Sequence, residues 1–499
     1  MRSAHLSRFT ILAVVAVALA GLPAIAQSTG ITGGDDSACA APEPLTFEAS
    51  YIDQTRAGGE PLVVTHPNGN LLWGSHAGTT HFFSPAAPDP TTAAFLENYE
   101  GQTYQYYSTD GGDTWEFSPR TPIEGELDSG LPNSGFSDPD FAIDKAGNVF
   151  ISEINLANIA ISKSSDGGKS YTLQNLVGVS MSDRQWMEAD EADVLWFVAN
   201  TFGGGSPTAG EPVTGSLANR IYKSVDGGET FSRGQSLAGN GQRSSEIQVD
   251  KSDGRIYQLD PRGSTLRMSY FPDARSQTPP NLTEVQRTIV PSFSRLSSIG
   301  PSFDIDGAGN LYVVWDDRGG SGREAGIYYS YSTDRADTWS PARKVSTGPG
   351  LAFWPWIAVG DEGGVSITWL QNSKATGVNP ETVPPGSGWD VMVAQPLTGL
   401  GCESSPVPGF TVTRATAEDE PVHRGTICNG GTVCQARLVD RRLGDYFSNA
   451  VDADGNTVIA VSDTRQGGAV ALPLMIRQTG GPTLGDGGEP LRNDDDEGR

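Results

Sequence analysis

Histidine and cysteine are scarce in this chain, at five and four of 499 residues. The histidines show none of the close spacing that a structural metal centre uses. Basic residues are also in deficit, because 34 Lys and Arg face 60 Asp and Glu and leave a net charge of −26. Such a balance repels the phosphate backbone, so no nucleic-acid partner is expected. Long apolar runs are missing after the first one, Phe9 to Leu22, whose fourteen residues fall short of the roughly 20 that cross a bilayer as a helix. No membrane span is expected. Helical periodicity is likewise lacking beyond that run, while 62 glycines punctuate short alternating segments along the whole length, as strands and turns require.

What the N-terminal run does provide is the three-part pattern of a secretory signal peptide: Arg2 and Arg8, the apolar stretch, then Ala24-Ile25-Ala26. Cleavage after Ala26 predicts a secreted protein, extracellular or periplasmic. Cys39, Cys402, Cys428 and Cys434 make an even count in an exported chain, which favours two disulfides. Cys428-Asn-Gly-Gly-Thr-Val-Cys434 closes readily on itself, leaving Cys39 to meet Cys402.

Internal repetition sets the fold class. Seven segments read as strand, Gly- or Asp-bearing turn, strand: Pro61 to Gly74, Asp140 to Ser152, Trp186 to Ala199, Ser245 to Leu259, Pro301 to Trp315, Trp356 to Trp369 and Asn449 to Ser462. Each is followed by a third β-rich run, as at Tyr104 to Ser108 or Ile327 to Ser332. Three strands plus an outer fourth make a propeller blade, and radial closure protects their edges. The expectation is an all-β propeller of seven blades, with six as the alternative. Residues 27–60 form an N-terminal segment and closing strand, 61–479 the propeller, and 480–499 a disordered acidic tail.

The third runs lead into Ser108-Thr-Asp110-Gly-Gly-Asp-Thr-Trp115, repeated from Ser164 around Asp166, from Ser224 around Asp226, and from Ser332 around Asp334, where Ala336 replaces a glycine. These motifs resemble the Asp boxes, or BNR repeats, of sialidase-like propellers. Their starts lie 56, 60 and 108 residues apart, so one box has decayed in the blade holding Thr265 to Tyr270. The carboxylate can bind N–H groups of its own turn and glycine permits positive φ, so the box reads as a structural fastener.

The resemblance places ligands on the opposite face, among the loops entering each blade and those between its second and third strands. The entry loops carry Asp138, Asp183 and Arg184, Arg243 and Glu246, Trp354 and Trp356, and Asp445 with Tyr446. The mid-blade loops add His76, His81, Glu153, Asp260, Arg262, Asp317, Arg318, Asp463 and Arg465. By resemblance to sialidases, Tyr446 is the nucleophile, Glu246 its base and Asp138 the acid, with Arg184, Arg243, Arg318 and Arg465 holding the substrate and Trp354 and Trp356 stacking on sugar. Two departures stand against this. The Phe-Arg-Ile-Pro stretch of the first sialidase blade is replaced by Glu60-Pro61-Leu62-Val63, and Asp260-Pro-Arg262, Asp316-Asp-Arg318 and Asp463-Thr-Arg465 recur as structural ion pairs do.

No cofactor is expected. Asp304-Ile-Asp306-Gly and Asp452-Ala-Asp454-Gly lack the later bidentate glutamate of a calcium loop, which makes turn chemistry the default there and leaves calcium open. The expected ligand is an extracellular glycan or glycoconjugate, met by a monomer. Two functions follow: a glycoside hydrolase of exo-sialidase type, or a non-catalytic propeller that binds a glycan or a cell-surface protein.

Overall fold

The structure, a computed structural model, describes residues 41–485 except 78–82, 87–101, 122–134, 156–157, 178–182, 203–216, 238–245, 298, 321, 403–404, 432 and 467. Seven sheets of four or five strands follow one another along the chain, antiparallel throughout except where Arg120–Thr121 pairs parallel with Tyr171–Val177. Their innermost strands are Leu62–Thr65, Ser137–Ile143, Asp183–Ala189, Ile247–Asp250, Ser302–Ile305, Leu351–Val359 and Ser448–Val451, which define blades 1 to 7. The chain is a seven-bladed β-propeller. Among the described residues no helix is long and apolar enough to cross a membrane.

The ring is shut by the strand Thr46–Tyr51, which pairs antiparallel with Leu472–Gly480 and becomes the outermost strand of blade 7. Blades pack face to face through alternating inward side chains. Fully buried Trp73, Trp196, Trp315 and Trp369 stand on the second strands of blades 1, 3, 5 and 6, each offering a large apolar area at low entropic cost.

The four boxes share one geometry. Asp166 Oδ1 accepts from Ser164 Oγ at 2.6 Å and from the Lys169 and Ser170 amides at 3.0 Å, and Oδ2 accepts from Ser170 Oγ at 2.6 Å. Asp334 does the same through Thr338 at 2.8 and 2.6 Å, although Arg335 and Ala336 take φ of 59° and 74° without glycine. In blade 4 the decayed box is a turn over 271–277. Its outward carbonyls at Ala274, Arg275 and Gln277 receive Lys223 Nζ from blade 3.

Boxes and first-to-second turns lie on the same face: the Asn70 side-chain amide of blade 1 donates to Gly167 O in the blade 2 box. In those turns Asp306 accepts from the Ala308 and Asn310 amides, and Asp452 accepts from those of Asp454 and Asn456. One carboxylate of each calcium-like sequence, Asp306 and Asp452, is thus engaged within its own turn. Cys428 and Cys434 form the expected disulfide. Cys402 is disulfide-bonded as well, and its expected partner Cys39 lies outside the described residues.

Candidate functional site

The innermost strands enter the ring through a repeated kink. In six blades a residue with positive φ precedes the first axial side chain by two positions: Glu60 (52°), Asp138 (48°), Arg184 (55°), Gly300 (85°), Trp354 (55°) and Gly444 (77°). The corresponding position of blade 4 lies outside the described residues. Four of the six are not glycine, and such backbone costs roughly 1–3 kcal/mol per residue, a strain that gathers at functional sites. The residues two places on include Leu62, Asp140, Trp186 and Trp356, which line the propeller axis, and Tyr446, which packs on the two tryptophans.

All seven innermost strands line an axial cavity of about 240 Å³. At one end Trp186, Trp356 and Tyr446 pack together, with ring centroids 5.6 to 6.1 Å apart. The Tyr446 hydroxyl donates to Pro139 O at 3.4 Å. Burial, followed by the charges of Glu60 and Asp138, pushes this phenol well above its usual range. Deeper in, Asp140, Glu246 and Asp304 each accept an amide hydrogen from the next blade, at Met187 (2.6 Å), Phe303 (3.3 Å) and Val359 (3.0 Å). These carboxylates stitch innermost strands that diverge too far for backbone pairing.

Around the mouth, charged residues converge from separate stretches of sequence. His76, at the end of the second strand of blade 1, places Nε2 2.5 Å from Glu60 Oε2, 3.0 Å from Ser137 Oγ and 3.4 Å from Asp138 Oδ1. Arg441 binds Asp445 through both terminal nitrogens, at 2.5 and 3.1 Å, and stands 3.7 Å from Glu60 Oε1. Gly444 makes room for this: a Cβ there would lie 2.1 Å from Glu60 Cγ. Asp183 and Arg184 join from blade 3, at 3.9 Å from one another.

The fields here are strong. Burial raises the Glu60 carboxyl to about 8. Burial opposes protonation of His76, but Glu60 and Asp138 outweigh it and raise the imidazole to about 9. Against their own burial, His76 holds Asp138 well below the carboxylate range and Arg441 holds Asp445 below it. Asp183 is raised by burial and by the neighbouring charge of Asp138.

Of the residues singled out in the sequence, Asp138, Asp183, Arg184, Asp445, Tyr446 and Trp356 meet at this mouth. Glu246 lines the cavity below, where it also accepts from Ser302 Oγ at 3.1 Å. Trp354 is 3 % exposed and stacks on Phe353 at 4.6 Å. Arg465 pairs with Asp463 at 2.6 Å and Glu420 at 2.9 Å, Arg262 pairs with Asp260 at 2.9 Å, and Arg318 reaches Leu296 O at 3.5 Å. Glu153 is buried behind the mouth and paired with Arg120. Arg243 and His81 lie outside the described residues. Sequence reasoning passed over Glu60, Ser137 and Arg441 and gave His76 no role. The signal available was the residue before proline at blade entries, in Glu60-Pro61, Asp138-Pro139, Gly300-Pro301 and Trp354-Pro355.

No protein-family model and no curated protein matches the chain. Solved structures similar to it include the NanB sialidase from Streptococcus pneumoniae, at 12 % identity over 87 % of this chain and 70 % of that one, with a TM-score of 0.43. The intramolecular trans-sialidase from Ruminococcus gnavus is 12 % identical over 86 % of this chain and 96 % of its own, with a TM-score of 0.40. YCF48 bound to D1 peptide is 10 % identical over 89 % of this chain and 99 % of its own, with a TM-score of 0.42.

Proposed function

We propose that the protein is a secreted glycoside hydrolase acting on extracellular glycans at the mouth of the propeller axis. The carrying observation is the convergence of Asp138, Asp183 and Asp445 with Arg184 and Arg441 from three blades, around the half-buried ring of Trp356. Glycosidic cleavage needs two carboxyl groups flanking the bond and an apolar surface on which the ring can rest. Asp183, whose side chain is 63 % exposed, is placed to protonate the departing oxygen. Asp138, 20 % exposed, is placed to draw a proton from the attacking water.

Tyr446 supports this floor and is not the nucleophile in this reading, because its hydroxyl faces a carbonyl and its ring is covered by two tryptophans. A panel of fluorogenic glycosides that includes a sialoside tests the proposal. Cleavage of at least one member is expected, with turnover reduced at least 100-fold in Asp183→Asn and within a few-fold of wild type in Tyr446→Phe. If Tyr446→Phe abolishes turnover, the tyrosine–glutamate scheme replaces this one. A panel left uncleaved but bound would select the second reading, a glycan-binding propeller, which the buried and carbonyl-bonded phenol of Tyr446 favours.

A further inference from the structure

Three oxygen groups of different origin surround one imidazole nitrogen at the mouth. Glu60 and Asp138 occupy equivalent kinks of blades 1 and 2, Ser137 precedes Asp138, and His76 comes from the loop side of blade 1. The ligand atoms of Glu60, His76 and Asp138 all lie within 4.8 Å of one another. We infer that Glu60, His76 and Asp138 form a binding site for one divalent transition-metal ion of the zinc or manganese type, with Ser137 Oγ beside it.

Donor chemistry and spacing carry the argument. One imidazole nitrogen with two carboxylates is a mixed N/O set suited to such ions, whereas calcium takes six to eight oxygens. Ligands about 2.0–2.2 Å from a tetrahedral ion stand about 3.3 Å apart. The 3.4 and 3.0 Å separations of Asp138 and Ser137 from His76 Nε2 are near that value, and Glu60, at 2.5 Å, must withdraw by only about 1 Å.

A further sign lies beside Asp138. The side chain of Gln185, 2 % exposed, donates to Asp138 O, yet its own buried oxygen has no hydrogen-bond partner among the described residues. Asp138 supplies the entry path, since its side chain reaches solvent where the other two ligands are 1 % exposed.

The inference does not rest on hydrolysis, because binding is read directly. Full-length protein stripped with a chelator and dialysed is titrated calorimetrically with ZnCl2 and MnCl2, with CaCl2 for comparison. One zinc or manganese ion per chain is expected, bound at least 10-fold tighter than calcium. Affinity should fall at least 10-fold in His76→Ala and in Asp138→Asn but stay unchanged in Asp166→Ala. Should His76→Ala fail to fold, the partly exposed Asp138→Asn and the visible spectrum of the cobalt(II)-loaded wild type, which reports a four-coordinate N/O site, still decide. Absent zinc and manganese binding in the wild type, or equal binding in wild type and Asp138→Asn, overturns the site.

Discussion

Asp166 holds its turn through four short contacts, all within its own box. Replacing it with alanine leaves two amides to water at a strained turn, so Asp166→Ala should cost about 1–2 kcal/mol in urea unfolding while leaving glycan turnover or binding per folded molecule unchanged. Gly168 carries a different constraint. Its φ is 87° and a Cβ would meet Leu72 Cδ2 at 2.3 Å, so Gly168→Ala should cost about 2–4 kcal/mol by the same measurement. The box carboxylates also set an acid limit. Asp166, Asp226 and Asp334 are held below the usual range, where the hydrogen bonds of the turn outweigh burial, and the turn's own hydrogen bonds bring Asp110 to about 2. Because the folded value is the lower one, this stability is complete above about pH 4 and drains away as pH falls towards 2. A urea series from pH 5 to 2 should show the loss, and Asp166→Ala should show less of it. Boxes are legible in sequence because each is closed within eight consecutive residues. Glu60, Ser137, His76 and Arg441 become neighbours only when the ring forms, so no local pattern joins them.

Each innermost strand spans four to nine residues and meets its neighbour in the next blade at an angle set by the ring. Asp140, Glu246 and Asp304 bridge that gap, and the cost is a carboxyl group buried without a cation among the described residues. Burial raises Asp304 to about 7, against the lowering effect of its two amide hydrogen bonds. A raised folded value means that the native state keeps a proton the unfolded chain has released, so this residue's contribution falls as pH rises from about 4 to 7. Unfolding free energy measured from pH 5 to 8 should therefore decline, with a shallower slope in Asp304→Asn; an identical slope would remove the residue from the explanation. Inner strands could be read from alternation and their turns. The kink before them left only the weak trace of proline after Glu60, Asp138 and Trp354, since of Glu60, Asp138, Arg184 and Trp354 only the aspartate is a residue type enriched at positive φ.

At the scale of the whole molecule, seven hairpins and seven third strands counted along the sequence correspond to seven sheets. Periodicity survives because every blade solves the same packing problem. The mouth has no such periodicity: its residues differ from blade to blade, and this asymmetry gives a symmetric ring one particular site. Arg441 links that site to the disulfide, with Nη1 3.7 Å from Cys428 Sγ. Cys428→Ser with Cys434→Ser should leave the seven-bladed far-UV signature intact but weaken ligand binding or turnover at least several-fold by releasing Arg441 from Asp445. An unchanged affinity would separate the loop from the mouth.

The strand Thr46–Tyr51 and its partner Leu472–Gly480 are held across more than four hundred residues, as in the contact of Thr46 with Thr479 at a separation of 433. During synthesis the closing strand emerges before the seven innermost strands and waits for its partner, which emerges after them. Until then, the growing chain is an open arc with an unpaired β-edge at its leading blade, the form most exposed to intermolecular pairing. A nascent chain stopped before Leu472 should therefore be captured by holdase chaperones, however well its first six blades have packed.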